Sequence, residues 1–149
     1  MPVLVERIDP IAVNCLIWAG AVSRAEALGF PARIDAKRSD FGCRWISYFC
    51  ADADLSDLDA ACPLELRERL RPVVAGLAAK GAFRMMLVSN HRYSDPMLSA
   101  WRTMTATDAD YASDPVIVHD LPTAARTLGL TPAEAEHARV WIDGCLERI

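Results

Sequence analysis

The residues best equipped for chemistry sit where apolar runs of the chain end. Ser89, Asn90, His91, Arg92 and Tyr93 follow the apolar run 83–88 and set a hydroxyl, an amide, an imidazole, a guanidinium and a phenol side by side. His119 and Asp120 follow the run 116–118, and Asp52 and Asp54 follow a third such run that closes at Cys50. Side chains of this kind at the carboxyl ends of neighbouring strands form a rim that binds an anion, a small polar ligand or a protein partner. Left to themselves, Ser89 and Asn90 also serve as turn residues, Ser94 as a helix cap, and His91 and Arg92 as solvated side chains.

Covalent and metal chemistry find less to work with. Cys50, Asp52, His91 and His119 all lie near strand ends, but no close pair such as H-x-x-x-H or C-x-x-C anchors a metal, so none is expected. No G-x-S-x-G elbow, G-x-G-x-x-G turn or Walker pattern occurs. The expectation is a protein that is not an enzyme and carries no cofactor. An enzyme of unknown class would need two titratable groups brought within hydrogen-bond reach at the strand ends. A different site is apolar: Met97, Trp101 and Met104 at helical spacing, with Met85 and Met86 on a strand, are suited to lining a cavity for a lipid-like ligand or to filling a core.

Positioning these groups requires an ordered frame. The 149 residues are 52% hydrophobic and 24% charged, which suits one globular domain with one core over 1–149. Val3 to Ile8 and Ile11 to Trp18 read as a hairpin around the turn at Asp9 and Pro10. Ser23 and Glu26 fit a capping box opening a short helix, which Gly29, Phe30 and Pro31 should interrupt. Residues 43–50, 83–88 and 116–118 read as strands, with 83–88 apolar enough to want cover on both faces. Leu66, Leu70, Val73, Val74 and Leu77 make the stripe of an amphipathic helix over 64–80, kinked or restarted at Pro72. Its basic cluster Arg67, Arg69 and Arg71, interleaved with Glu65 and Glu68, reads as a solvated face.

Further helices should open at Ser94 to Pro96 and at Asp120 to Pro122, the latter ending at Gly129 through a left-handed cap. Thr131, Pro132 and Glu134 then supply a capping box and a first-turn proline for a last helix striped by Ala138, Trp141, Ile142, Cys145 and Ile149. Strands alternating with helices after a hairpin predict an α/β fold: one mixed sheet of about five strands, the later ones parallel, packed with four to five helices.

The stretch 48–56, the strand 83–88 and the segment 116–130 resemble the sulfate-transporter and anti-sigma-factor-antagonist (STAS) domain family, in particular its bacterial STAS-like, lipid-binding-type branch. The likeness covers about residues 3–130, with the helix 131–149 as an addition. It implies a cytoplasmic regulatory or interaction module. In that family a phosphorylatable Ser opens the helix after the third strand. Ser56 is the nearest counterpart here, without the double Ser and the Gly, and a phosphate there would face Asp54, Asp57 and Asp59. An N-cap role for Ser56 is the simpler reading.

The formal net charge of -4 argues against nucleic-acid partners. No apolar run approaches the ~18 residues of a membrane span, and the amino-terminal residues do not read as a secretion signal. Five cysteines, Cys15, Cys43, Cys50, Cys62 and Cys145, without paired spacing read as free buried thiols. A homodimer through Trp141 and Ile149 would cover the last helix as well as packing on its own sheet would.

Overall fold

The computed structural model describes residues 3–89 and 95–148. Its elements, in chain order, are β1 (Val3–Ile8), β2 (Val13–Trp18), α1 (Arg24–Ala36), β3 (Arg44–Phe49), α2 (Ala61–Ala78), β4 (Arg84–Ser89), α3 (Asp95–Ala106), β5 (Val116–Val118), α4 (Leu121–Thr127) and α5 (Pro132–Leu146). The five strands form one sheet in the order β1-β2-β3-β4-β5. β1 pairs antiparallel with β2, and every later pairing is parallel. The fold is therefore α/β with one mixed five-stranded sheet and five helices, as the alternation of elements predicts.

Both faces of the sheet are covered, because successive strand residues point to opposite sides. Leu16, Trp18, Trp45, Phe49 and Leu87 face one way and bury against α1, α2 and α3, whose contributions include Phe30, Ile34, Val73, Leu77 and Leu98. Val13, Cys15, Ile17, Ile46, Met86 and Val88 face the other way, against Ala124, Ala125 and Leu128 of the α4 region and Ala138, Ile142 and Cys145 of α5. The stripe of α5 thus packs on the chain's own sheet, with Trp141 half-buried against the same cluster. Ile149 lies outside the described residues. His137, exposed on α5, fastens this helix to the β1–β2 turn through Nε2 at 2.7 Å from the Asp9 carbonyl.

The helix ends follow local chemistry closely. Thr131 Oγ accepts from the Glu134 amide and the Glu134 carboxylate accepts from the Thr131 amide, completing the capping box of α5. After α4, Gly129 takes φ 77, where a Cβ is disfavoured, so that Leu130 N–H reaches Ala125 O and Gly129 N–H reaches Arg126 O.

Four local expectations are corrected. Gly29, Phe30 and Pro31 do not interrupt α1, which runs on to Ala36 with Phe30, Pro31 and Ile34 buried. The apolar contacts of Phe30 and Ile34 outweigh the backbone hydrogen bond that proline removes. The next helix begins at Ala61 rather than 64 and continues through Pro72. Ser56 does not cap it: Asp59 Oδ1 accepts from the amides of Ala61 and Cys62 instead, and Ser56 stands exposed in the preceding loop. Finally, Arg67 and Arg71 are only partly exposed. With side chains 21% and 28% exposed, they converge on Asp108, beyond the end of α3. Among the described residues no helix is long and apolar enough to cross a membrane.

Candidate functional site

Because β3, β4 and β5 are parallel neighbours, the segments after them share one edge of the sheet. Asp54 belongs to that edge through a zipper between the loops following β2 and β3: its amide donates to Gly20 O at 2.8 Å and its carbonyl accepts from Val22 N–H at 3.0 Å. The Asp54 carboxylate accepts from the Ser56 amide at 2.9 Å, and hydrogen bonds from the Ser56 hydroxyl and amide hold its carboxyl below the ordinary carboxylate range.

Of the expected rim, Asn90, His91, Arg92 and Tyr93 lie outside the described residues. Ser89 is buried at the end of β4, and its carbonyl lies 3.1 Å from Nδ1 of the exposed His119, so this nitrogen carries the proton and donates. Asp120 is the N-cap of α4. Its Oδ1 accepts from the Thr123 amide at 2.7 Å, and the Thr123 amide and hydroxyl keep its carboxyl low. The described rim groups are thus engaged in joining β4 to β5 and in starting α4.

The candidate metal quartet is not assembled among the described residues, where no group of three or more His, Cys, Asp or Glu gathers. Burial first, and the Asp52 charge second, push the Cys50 thiol up to about 11, so it stays protonated near neutral pH and is a poor nucleophile or ligand. Burial raises Cys15 further still.

A second site lies inside the protein, between the sheet and the layer of α1, α2 and α3. It is a cavity of about 100 Å³. Its floor is aromatic: Trp18 stacks on Phe49 with ring centroids 5.1 Å apart and meets Phe30 edge-on at 5.5 Å. Trp45 adds to the floor and is pinned by its Nε1–H donating to Gly42 O at 2.8 Å. The roof comes from the α2 stripe at Leu70, Val73, Val74 and Leu77. One side is closed by Met97, Leu98 and Trp101 of α3 and by Tyr111, whose ring meets Trp101 edge-on at 6.2 Å. Pro63, Leu66, Met97, Trp101 and Ser113 are only half-buried, so the cavity approaches the surface between α2 and α3.

The lining includes Met85, Met97 and Trp101 of the residues the sequence suggested for an apolar cavity. Met86 faces the opposite side of the sheet, since adjacent strand residues diverge, and Met104 is half-buried outside the lining. Two features were missed. Ser47, only 2% exposed, occupies the middle of the floor and its Oγ accepts from Trp18 Nε1 at 2.9 Å. Its signal was a lone hydroxyl between Trp45 and Phe49 on the apolar alternation of β3.

The other missed feature is the clamp that joins α2 to the segment after α3. Arg71 donates to both carboxylate oxygens of Asp108, at 3.2 and 2.5 Å, and Arg67 Nε lies 3.4 Å from the same group. These ion pairs, with hydrogen bonds from Arg71 foremost, hold the Asp108 carboxyl below its ordinary range. Arg71 and Asp108 are 37 residues apart, so no local pattern announces the pair.

Compared with known family models, curated proteins and solved structures, this chain finds no match.

Proposed function

We propose that this chain is a non-enzymatic binding module that takes a small apolar molecule into the cavity between its sheet and α1, α2 and α3. The observation that carries the reading is the cavity itself. Protein interiors are close-packed, with few voids larger than a water molecule. The space of about 100 Å³ leaves the apolar side chains around it short of contact partners, at a cost in dispersion energy. An apolar occupant removes that cost and restores the missing dispersion contacts. The rigid aromatic floor and the mouth between two helices are features that suit a site rather than a packing defect. The engaged rim groups and the protonated Cys50 thiol favour this reading over a catalytic one.

The test is thermal unfolding with benzene as the probe. Saturating benzene should raise Tm of the wild-type protein. Leu70→Phe, which places a ring in the cavity, should abolish the response while unfolding at or above the wild-type temperature. An unchanged wild-type Tm, or a response that survives the substitution, would sink the reading.

A second reading is a STAS-like regulatory module whose strand-end edge docks a protein partner. Support for it comes from the parallel strands that bring Asp54, Ser89, His119 and Asp120 to one edge. Phosphorylation at the exposed Ser56 would add charge beside Asp54 and displace the hydrogen bonds that Ser56 gives it. Co-purification of a partner lost on His119→Ala would favour this reading over the first.

A further inference from the structure

From the floor of the cavity we infer the class of molecule it accepts: an uncharged compound about the size of one six-membered ring, bearing a hydrogen-bond acceptor that Ser47 engages. The inference rests on the cavity reading above and adds polarity and size to it.

Ser47 lies in the centre of the sheet, flanked in register by Leu16 of β2 and Leu87 of β4, and it is 98% buried. A serine hydroxyl has one hydrogen to give and two lone pairs to accept with. Trp18 Nε1–H occupies one lone pair, which orients the hydroxyl, and among the described residues nothing accepts the Ser47 hydrogen. A buried donor without a partner is costly, and removing the hydroxyl would pass the deficit to the Trp18 Nε1–H that it accepts from. A ligand oxygen placed over Ser47 satisfies the donor.

The rest of the lining fixes what else the ligand carries. The described residues around the cavity include no Asp, Glu, Lys, Arg or His, so a carboxylate or an ammonium would be buried without a counter-charge. A volume of about 100 Å³ is of the same order as the ~150 Å³ of an apolar cavity that accepts benzene, which limits the occupant to one ring or a short branched chain. A cyclic or short-chain ketone, ether or alcohol has the required chemistry.

The test compares cyclohexanone with methylenecyclohexane, two molecules of one shape that differ in C=O against C=CH2. Affinities for both are measured by titration against the full chain, in the wild type and in Ser47→Ala/Trp18→Phe, which removes both donors. We expect the double variant to retain methylenecyclohexane while losing about three- to tenfold in its relative preference for cyclohexanone, the range of a single hydrogen bond. An unchanged ratio, with both compounds still bound, overturns the acceptor inference and leaves the cavity reading intact. Failure of the wild type to bind either compound overturns both. Infrared spectroscopy of bound cyclohexanone needs no variant to fold: a carbonyl stretch below its value in an alkane supports the contact, and an unshifted band overturns it.

Discussion

The two faces of the sheet are built from the same strands yet packed on different terms. On the face toward α4 and α5, Val, Ile, Met and Cys side chains meet Ala124, Ala125 and Ala138, each at most 1% exposed. Small residues on the helices let the backbones come close, and branched or flexible strand residues fill what remains. Toward α1, α2 and α3 the strands present Trp18, Trp45 and Phe49, and flat rings held by stacking and hydrogen bonds cannot adjust to one another. Burial is nearly complete on both sides, and the cavity described above lies on the side of the rigid shapes. The apolar content of a face therefore says less about whether it can hold a ligand than the stiffness of the groups that supply it.

The largest effect should come from removing a ring. Trp45→Ala enlarges the aromatic face where its neighbours are least able to collapse, and should lose ~3–5 kcal/mol of unfolding free energy in urea. Next, Ala138→Leu forces bulk into the close-packed face and should cost ~1–3 kcal/mol by the same measurement. Leu70→Phe, the matching enlargement on the cavity face, should leave stability unchanged or raise it by less than about 1 kcal/mol. Equal costs for these two enlargements would erase the distinction between the faces.

The smallest effect concerns the clamp. Asp108 titrates below its ordinary value in the folded protein, so its contribution is present above about pH 4 and is lost as pH falls through the depressed value. Asp108→Asn should therefore lower Tm at pH 7, with the gap to wild type closing below about pH 4; a gap independent of pH would mean that charge plays no part in holding the α3–β5 connection to α2. The partly exposed arginines keep the effect small.

Most of the frame was legible because it rests on local rules. Short apolar runs bounded by turn residues placed every strand to within two residues. Thr131, Glu134, Asp120 and Gly129 marked helix ends through their own hydrogen bonds. Local rules misled where distant contacts decide. Pro31 sits inside α1 because Phe30 and Ile34 find a sheet to bury against. Arg71 looked solvated because its partner lies 37 residues further on. The cavity was half visible: Met85, Met97 and Trp101 were on the page, but the volume among them depends on how three helices settle on one sheet. Strand order alone implies that Ser89, His119 and Asp120 share one edge, yet the hydrogen bonds that engage His119 and Asp120 appear only in three dimensions.

The order of strands in space repeats their order along the chain, and this bears on how the molecule is made. Each parallel strand is laid beside the one synthesised before it, so the sheet can grow outward from the first hairpin while the polypeptide is still emerging, without waiting for a distant segment to insert. α3 and Tyr111, which close one side of the cavity, come after four of the five strands. Pulse-labelled hydrogen exchange should find amides of β2 and β3 protected before those of β5, and nascent chains should bury their first three strands before they acquire a place for a guest.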